Sequence, residues 1–199
     1  FLPPLPGTAF SLEDYIPAPS RTRSPSLFEE ACAVNAIVVV DQNWAIGRDN
    51  DLLFSLPTDM KRFRSLTLGG TVILGRRTLD SFPGGRPLPK RRNIVITTAR
   101  TFPEGGGTVS SLAAMREATA GTPPDQLWVI GGSSIYAALL SQCARAYVTR
   151  VDAAAEGADS FFPNLDKLPG WTVRAVSEPV TENGLTYRFY DYVNTKLCD

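Results

Sequence analysis

The sequence contains no histidine among its 199 residues. Histidine is the usual acid–base group near neutral pH and the commonest nitrogen ligand of metal ions in proteins. Its absence excludes catalytic triads that use it, and it excludes zinc sites of the HExxH type. Any proton transfer must therefore involve a carboxylate, a lysine, a tyrosine, a cysteine or water, and we expect no metal site.

Cysteine is scarce, and neither an excess of charge nor a long apolar run is present. The three cysteines, Cys32, Cys143 and Cys198, are odd in number and widely spaced, which favours a reducing cytoplasm. The 20 basic residues balance the 20 acidic ones, so no net charge attracts nucleic acid or an anionic membrane. No apolar run approaches the roughly 18 residues of a membrane-spanning helix. We expect a cytoplasmic protein without nucleic-acid or membrane partners.

The first 30 residues differ in composition from the rest of the chain. They contain six prolines and many serines and threonines, and no apolar period is sustained. This composition predicts a flexible N-terminal arm or linker over residues 1–30. The segment lacks the basic start and apolar centre of a signal peptide. Residues 31–199 are numerous enough for one domain with a full core.

Strand and helix patterns alternate from residue 33 onward. We predict strands over residues 36–40, 71–74, 93–98, 127–130 and 146–151, and helices over residues 57–66, 76–82, 112–120 and 133–142. We predict a loop over residues 41–54, and a terminal hairpin of residues 171–178 and 185–193 around a turn at 182–184. The predicted fold is a single α/β domain whose mixed, mainly parallel sheet has flanking helices and a C-terminal antiparallel hairpin.

Asp59 is the candidate for acid–base chemistry. It shares one face of the predicted helix with Phe63 and Leu66, so its carboxylate points toward an apolar region. A buried carboxylate needs partners, and a heterocycle with two parallel N–H donors matches its two oxygens. The alternative is a solvated aspartate stabilised by the helix dipole, which this segment taken alone favours.

Two strand ends carry the features of a phosphate-binding site. Gly131-Gly132 lies between a buried strand and a helix, where backbone N–H groups can approach a pyrophosphate; a simple tight turn is the alternative. Gly75-Arg76-Arg77-Thr78 also follows a strand, and Thr97-Thr98 closes the next one. Hydroxyl groups and arginines without an acid favour NADP over NAD.

Arg91 and Arg92 are candidates for binding a carboxylate. They follow Pro87-Leu88-Pro89 in a basic loop, and arginine pairs with carboxylates through two parallel hydrogen bonds. Each of these arginines could instead be a solvated surface charge.

Together these features resemble the dihydrofolate reductase family over about residues 34–193. The likeness rests on ordered segments: AIVVVDQNWAIG, LPTDMKRFR, TVILGRRTLDSF, GRPLPKRRNIVIT, LWVIGGSSIY, AYVTRVD and FFP. The resemblance implies NADPH-dependent reduction of 7,8-dihydrofolate to 5,6,7,8-tetrahydrofolate. A hydride passes from nicotinamide C4 to pterin C6, and N5 gains a proton. We expect a monomer.

The resemblance assigns roles to individual residues. Asp59 corresponds to the acid that holds pterin N3 and the 2-amino group and favours protonation of N5 through water, and Arg91 corresponds to the arginine that binds the α-carboxylate of the glutamate tail. The residues assigned to the substrate are Ile37, Val38, Phe54, Asp59, Phe63, Leu88, Arg91 and Thr149. Those assigned to NADPH are Val39, Ile46, Gly75, Arg76, Arg77, Thr78, Thr97, Thr98, Ile130, Gly131, Gly132, Ser133, Ser134, Ile135 and Tyr136.

The resemblance also implies a cis peptide bond between Gly131 and Gly132, and a lid over residues 41–54 that closes on the nicotinamide. The chain departs from the family's pattern at two places. Leu53-Phe54 stands where the family commonly has Pro-Trp, whose indole donates a hydrogen bond to an active-site water, and Ser134 replaces a usual arginine. One alternative is a pterin or riboflavin-pathway reductase of the same fold, and another is a non-catalytic nucleotide-binding module. The presence of Asp59 and Arg91 argues against both.

Overall fold

A computed structural model describes the backbone of residues 9–10 and the full residues 34–98 and 107–197. Every residue assigned above to substrate or cofactor lies within these ranges. The predicted arm apart from the backbone of residues 9–10, together with Cys32 and Cys198, lies outside the described residues.

The described residues form strands and helices in alternation through the first two thirds of the domain. The strands are β1 (Ala9–Phe10), β2 (Val34–Val40), β3 (Ala45–Arg48), β4 (Asp51–Leu52), β5 (Thr71–Gly75), β6 (Arg92–Ile96), β7 (Gly107–Val109), β8 (Leu127–Gly131), β9 (Cys143–Val151), β10 (Ser160–Phe161), β11 (Trp171–Ser177), β12 (Val180–Glu182) and β13 (Leu185–Asn194). The α-helices are α1 (Pro57–Thr67), α2 (Arg76–Asp80), α3 (Leu112–Thr119) and α4 (Ser133–Leu139). Short 3-10 helices follow at Pro83–Gly85, Pro124–Gln126, Leu140–Gln142 and Leu165–Lys167.

One large sheet organises the domain. Its strands lie in the order β1-β11-β13-β9-β2-β8-β5-β6-β7, and β12 pairs with β13. From β9 through β2, β8, β5 and β6 to β7 each neighbouring pair is parallel, whereas β13 is antiparallel to both β9 and β11. The predicted single-domain α/β fold with a mixed, mainly parallel sheet is therefore confirmed.

Two local predictions were wrong. The loop predicted over residues 41–54 contains β3 and β4, which form a second sheet with β10 in the order β10-β3-β4. The terminal hairpin has three strands, since the turn after Glu182 joins β12 to β13 while β11 pairs with the far end of β13. Both errors concern strands of two to four residues, which are too short for a periodic apolar pattern to reveal.

The sheet separates apolar side chains into clusters on its two faces. Successive residues of a strand point to opposite faces, so Ile37 and Val38 of β2 enter different clusters. The Ile37 cluster includes Trp128 and Tyr147, and Phe63 of α1 packs against it. Helix α1 therefore covers this face, and Asp59 in its first turn lies at the margin of the buried layer.

Helix α1 begins at Pro57, which suits the first helical position because proline has no N–H to leave unsatisfied. No helix within residues 34–98 and 107–197 combines the length and the apolar character needed to cross a membrane.

Candidate active site

Asp59 is a buried carboxylate rather than a solvated one. Only 8% of the residue is exposed, and Thr149 Oγ1 on β9 donates a hydrogen bond of 2.5 Å to Asp59 Oδ1. Thr149 is itself buried, so the contact ties the first turn of α1 to the central sheet. The interpretation of Asp59 as a solvated helix-start residue is therefore wrong.

The surroundings of Asp59 alter its acidity. Burial raises the pKa of the Asp59 carboxyl, because the ionised form loses its hydration. The hydrogen bond from Thr149 and the positive charge of Arg62 lower that pKa, and the negative charge of Glu182 raises it. The balance leaves the pKa above its ordinary value of 3.8, as is typical of carboxyls that handle protons.

A cleft opens beside Asp59 between β2, the β3–β4 segment and the start of α1. The cleft is partly open to solvent. Its lining residues are Val39, Ile46, Leu52, Leu53, Phe54, Leu56, Asp59 and Met60. An apolar cleft with a single carboxylate suits a flat heterocycle that offers N–H donors at one edge.

The cleft brings together four residues that were assigned to substrate or cofactor and four that were not, although Leu52 and Leu53 belong to the predicted lid. Val39, Ile46, Phe54 and Asp59 were assigned, whereas Leu52, Leu53, Leu56 and Met60 were not. These four residues lie close to assigned positions in the chain; Leu56 is buried, whereas Leu52 and Met60 are largely exposed. No spacing rule for an isolated helix or strand would have selected them.

The apolar residues assigned to the substrate belong to three clusters, and of these residues Phe54 alone is among those that line the cleft. Ile37, Phe63 and Leu88 belong to one apolar cluster on the α1 face of the sheet. Val38 packs in the cluster on the opposite face with Trp44 and is not among the residues that line the cleft. Any contact between Val38 and a ligand in this cleft would therefore involve its backbone.

Arg91 and Arg92 occupy different environments. Arg91 is half-buried, its Nη1 donates to Thr67 Oγ1 at 3.2 Å, and its guanidinium carbon lies 5.8 Å from the centre of the Phe63 ring. Arg92 is exposed at the start of β6. Arg91 is thus the arginine that is oriented toward the α1 side of the site.

The residues assigned to the cofactor meet at the carboxyl ends of three neighbouring parallel strands. Gly75 ends β5, Gly131 ends β8, and Thr97 directly follows β6, whose Ile96 pairs with Gly75. The carboxyl end of a parallel sheet is where ligands of this fold class bind. The two phosphate-type turns identified from the sequence therefore lie side by side.

The glycine turn leaves little room for side chains. The peptide bond between Gly131 and Gly132 is cis, as expected, and Gly131 has φ +128°. A Cβ atom on Gly132 would lie 3.3 Å from Thr78 Oγ1, and one on Gly75 would lie 3.1 Å from Ile135 Cγ1. Backbone and hydroxyl groups thus form a close cradle in which an extended phosphate chain could lie.

Side chains around the cradle are held in defined positions. Tyr136 donates its hydroxyl hydrogen to Ile37 O at 2.6 Å, which ties α4 to the centre of β2. Arg76 Nε bonds Asp80 Oδ1 at 2.8 Å, whereas the side chain of Arg77 is exposed. The assigned Ile130 and Ser133 are half-buried beside the turn, and Thr98 and Ser134 are exposed.

Several hydrogen bonds fix the segment 41–54 that was predicted to be a lid. The buried carboxylate of Asp41 accepts from the backbone N–H groups of Asn43, Ala45 and Ala155. Farther along, Asn50 Nδ2 donates to Arg77 O at 3.0 Å. The segment is therefore tied at Asp41 to the loop that contains Ala155, and at Asn50 to α2, the helix that follows β5.

Comparison with known proteins matches this chain to one family. The family model described as dihydrofolate reductase matches residues 33–194, which is most of the chain. The chain belongs to the dihydrofolate reductase family. Relatives named dihydrofolate reductase come from Mycobacterium tuberculosis (39% identical, covering 74% of this chain and 89% of the relative), Bacillus subtilis (40%, covering 67% and 77%) and Neisseria gonorrhoeae (33%, covering 80% and 97%).

The sequence did not indicate that Glu182 contacts the first turn of α1, which carries Asp59. Its carboxylate accepts from Thr58 N at 3.0 Å, from Thr58 Oγ1 at 2.9 Å and from the Tyr187 hydroxyl at 2.5 Å. Leu56 at the start of α1 provides no side-chain cap, so Glu182 supplies the cap from the C-terminal hairpin. It thereby holds the helical turn that contains Asp59.

Replacing Glu182 with alanine is expected to lower the free energy of unfolding by about 1–2 kcal/mol, the cost of losing a helix cap. Hydrogen bonds from Tyr187 and Thr58 hold the pKa of Glu182 below its ordinary value of 4.5. The stabilisation is therefore complete above that value and is lost as pH falls through the lower pKa of the folded state. Urea unfolding at several pH values measures both effects, and Glu178→Ala, at an exposed position, is the control. Equal losses in the two variants would contradict the capping role.

Proposed function

We propose that this chain catalyses the NADPH-dependent reduction of 7,8-dihydrofolate to 5,6,7,8-tetrahydrofolate. The observation that carries the proposal is the buried Asp59 carboxylate at the wall of an apolar cleft. Membership of the dihydrofolate reductase family supports the same reaction. A pterin offers two parallel N–H donors, at N3 and the 2-amino group, which match the two carboxylate oxygens.

Asp59 orients the pterin in this mechanism. Thr149 holds Oδ1 in place, so the plane of the carboxylate is fixed before the substrate arrives. Bound NADPH supplies the hydride that reduces pterin C6 and leaves as NADP⁺. The raised pKa of Asp59 favours delivery of a proton to N5 through water, since the chain contains no histidine for this task.

NADPH fits the residues at the carboxyl ends of β5, β6 and β8. The glycines Gly75, Gly131 and Gly132 allow the pyrophosphate to approach the backbone, and Thr78 offers a hydroxyl beside them. Arg76 and Arg77, with the hydroxyls of Thr97 and Thr98, would hold the phosphates. Bound NADPH would have its pyrophosphate next to Ile130, Ser133, Ser134, Ile135 and Tyr136, and its nicotinamide next to Val39 and Ile46.

The segment 41–54 acts as a lid over the reacting atoms in this account. Its Leu52, Leu53 and Phe54 line the cleft, and closing such a segment excludes water from the hydride transfer. The side chain of Phe54 has no N–H to donate, so it offers no hydrogen bond to a water in the cleft. We also propose that the enzyme works as a cytoplasmic monomer; the free, buried thiol of Cys143 is compatible with a reducing compartment.

Spectrophotometric measurement of NADPH oxidation in the presence of 7,8-dihydrofolate tests the proposal. We expect NADPH oxidation to require dihydrofolate. One molecule of NADPH should be consumed for each molecule of dihydrofolate. The same assay should be repeated with other reducible pterins and with a pyrimidine of the riboflavin pathway as substrates. Turnover of one of these without turnover of dihydrofolate would contradict the assignment.

NADPH is expected to support turnover far better than NADH, because the 2′-phosphate adds charge-assisted hydrogen bonds to arginine. Each such bond contributes about 1.5–3 kcal/mol, or roughly 10- to 150-fold in affinity. The double variant Arg76→Met, Arg77→Met should lose most of this preference by raising the KM for NADPH and leaving the KM for NADH almost unchanged. Arg116→Met, on the exposed face of α3, is the control. An unchanged ratio of the two kcat/KM values would contradict these roles.

A further inference from the structure

Arg62 lies one helical turn beyond Asp59 on the same face of α1. Its guanidinium carbon is 4.4 Å from the centre of the Phe189 ring and 5.6 Å from that of Tyr147. The three guanidinium nitrogens are buried. A long cationic side chain has therefore been turned inward on the helix that carries the proposed proton-handling group.

The sheet beneath Arg62 is the same patch that holds Asp59. Phe189 of β13 pairs directly with Thr149 of β9, the residue that donates to Asp59. Asp191 pairs with Tyr147 in the same way. Paired residues of antiparallel strands share a face, so the two rings, the threonine and Asp191 form one surface under the first two turns of α1.

The charges around this surface come from several elements. The groups that interact electrostatically with Asp59 or Arg62 are Tyr136 on α4, Tyr147 on β9, and Glu182, Tyr187 and Asp191 on β12 and β13. Arg62 supplies the positive charge that lowers the pKa of Asp59, whereas Glu182 raises it. Arginine stays protonated even when buried, so its charge does not vary over the working pH range.

Asp191 is the competing partner of Arg62. It is buried, burial raises the pKa of its carboxyl, and the charges of Arg145, Arg174 and Arg62 oppose that rise in this order. Asp191 thus has two other cations, whereas Arg62 is the cation that acts on Asp59. The Asp59 carboxylate therefore depends more on Arg62 than the Asp191 carboxylate does.

We propose that Arg62 is a positioning residue that keeps Asp59 ionised in the ligand-free protein, so that the carboxylate is ready to accept the N–H donors of the substrate heterocycle. The aromatic faces of Phe189 and Tyr147 hold the guanidinium in place by cation–π contact. The proposal rests on the role proposed above for Asp59.

Titration of the Asp59 carboxyl by carbon NMR in the ligand-free full chain tests the proposal. The Asp59 signal is the one that disappears in Asp59→Asn. Arg62→Met, which removes the charge and keeps an unbranched side chain, should raise the pKa of Asp59 by about one unit or more, a tenfold change in proton affinity. Arg62→Lys should keep the pKa close to that of the parent protein. Arg188→Met, on the exposed face of β13 next to Phe189, should leave it unchanged.

An Asp59 pKa that is the same in Arg62→Met as in the parent would overturn the proposal, as would a shift confined to the Asp191 signal. If Arg62→Met does not fold, the same titration of Arg62→Gln decides between these outcomes. The kcat/KM profile against pH is the second readout, and it should move in the direction of the Asp59 pKa. Because the titration uses neither substrate nor cofactor, a shifted pKa in a chain that does not reduce dihydrofolate would refute only the proposed function.

Discussion

Turnover of dihydrofolate is expected to fall by about 10²- to 10⁴-fold when Asp59 is replaced with asparagine, the usual contribution of a positioned acid–base group. Asparagine keeps the shape of aspartate and can still accept the hydrogen bond from Thr149. Its amide, however, presents N–H donors where the pterin also presents donors, and it cannot carry the negative charge that pairs with them. Steady-state kinetics across the neutral pH range measures the loss.

The same substitution is expected to raise the free energy of unfolding at neutral pH. The folded-state pKa of Asp59 lies above its ordinary value of 3.8, so the ionised carboxyl costs the folded protein free energy as pH rises through that pKa. Asparagine removes this cost, and the gain should shrink to nothing below the ordinary value, where aspartate is protonated in both states. Asp125→Asn, at an exposed position, is the control for urea unfolding and for kinetics. Full activity in Asp59→Asn would rule out the role of Asp59.

Replacement of Arg91 with methionine is expected to raise the KM for dihydrofolate about 10- to 100-fold, since one charge-assisted hydrogen-bonded pair contributes roughly 1.5–3 kcal/mol. The value of kcat should change little, because the glutamate tail is remote from the reacting atoms and binds equally in the ground state and the transition state. Methionine preserves much of the contact with the Phe63 ring, so the effect reports the lost charge. The KM for a dihydropterin without the glutamate tail should be the same in Arg91→Met as in the parent protein.

Arg92→Met provides the matched control for Arg91. The two arginines are adjacent in sequence and equal in charge, but Arg92 is exposed at the start of β6. We expect the KM of Arg92→Met to remain within about twofold of the parent value, since an exposed charge is screened by solvent. Equal increases in both variants would indicate a general effect of positive charge and would contradict a specific role for Arg91.

The sheet could be predicted because its central strands are buried on both faces. A continuous apolar run such as residues 36–40 has few alternatives in a globular protein, and glycine marks the ends of β5 and β8. The strands β3, β4 and β10 could not be predicted in this way. They contain only two to four residues, too few for an alternating pattern, and β10 pairs with β3 from a distant part of the chain.

The site could be predicted only where residue type and position coincide with a recognisable turn or helix. Asp59 was proposed from its alignment with Phe63, yet the same pattern also fitted a solvated aspartate, and its burial against Thr149 became clear only in the structure. Glu182 and Arg62 carried no signal of their own. Glu182 is brought to α1 by a hairpin from the end of the chain, and Arg62 resembles an ordinary helical surface charge until the aromatic rings beneath it are seen.

The central claim is that this chain transfers one hydride from NADPH to C6 of dihydrofolate while Asp59 orients the pterin. Single-turnover reaction with NADPH that carries deuterium at the transferred position of nicotinamide C4 tests it most directly. We expect one deuterium per tetrahydrofolate, located at C6, with transfer slowed by about 10²-fold or more in Asp59→Asn. Product without deuterium at C6, or transfer in Asp59→Asn at the rate of the parent protein, would contradict it.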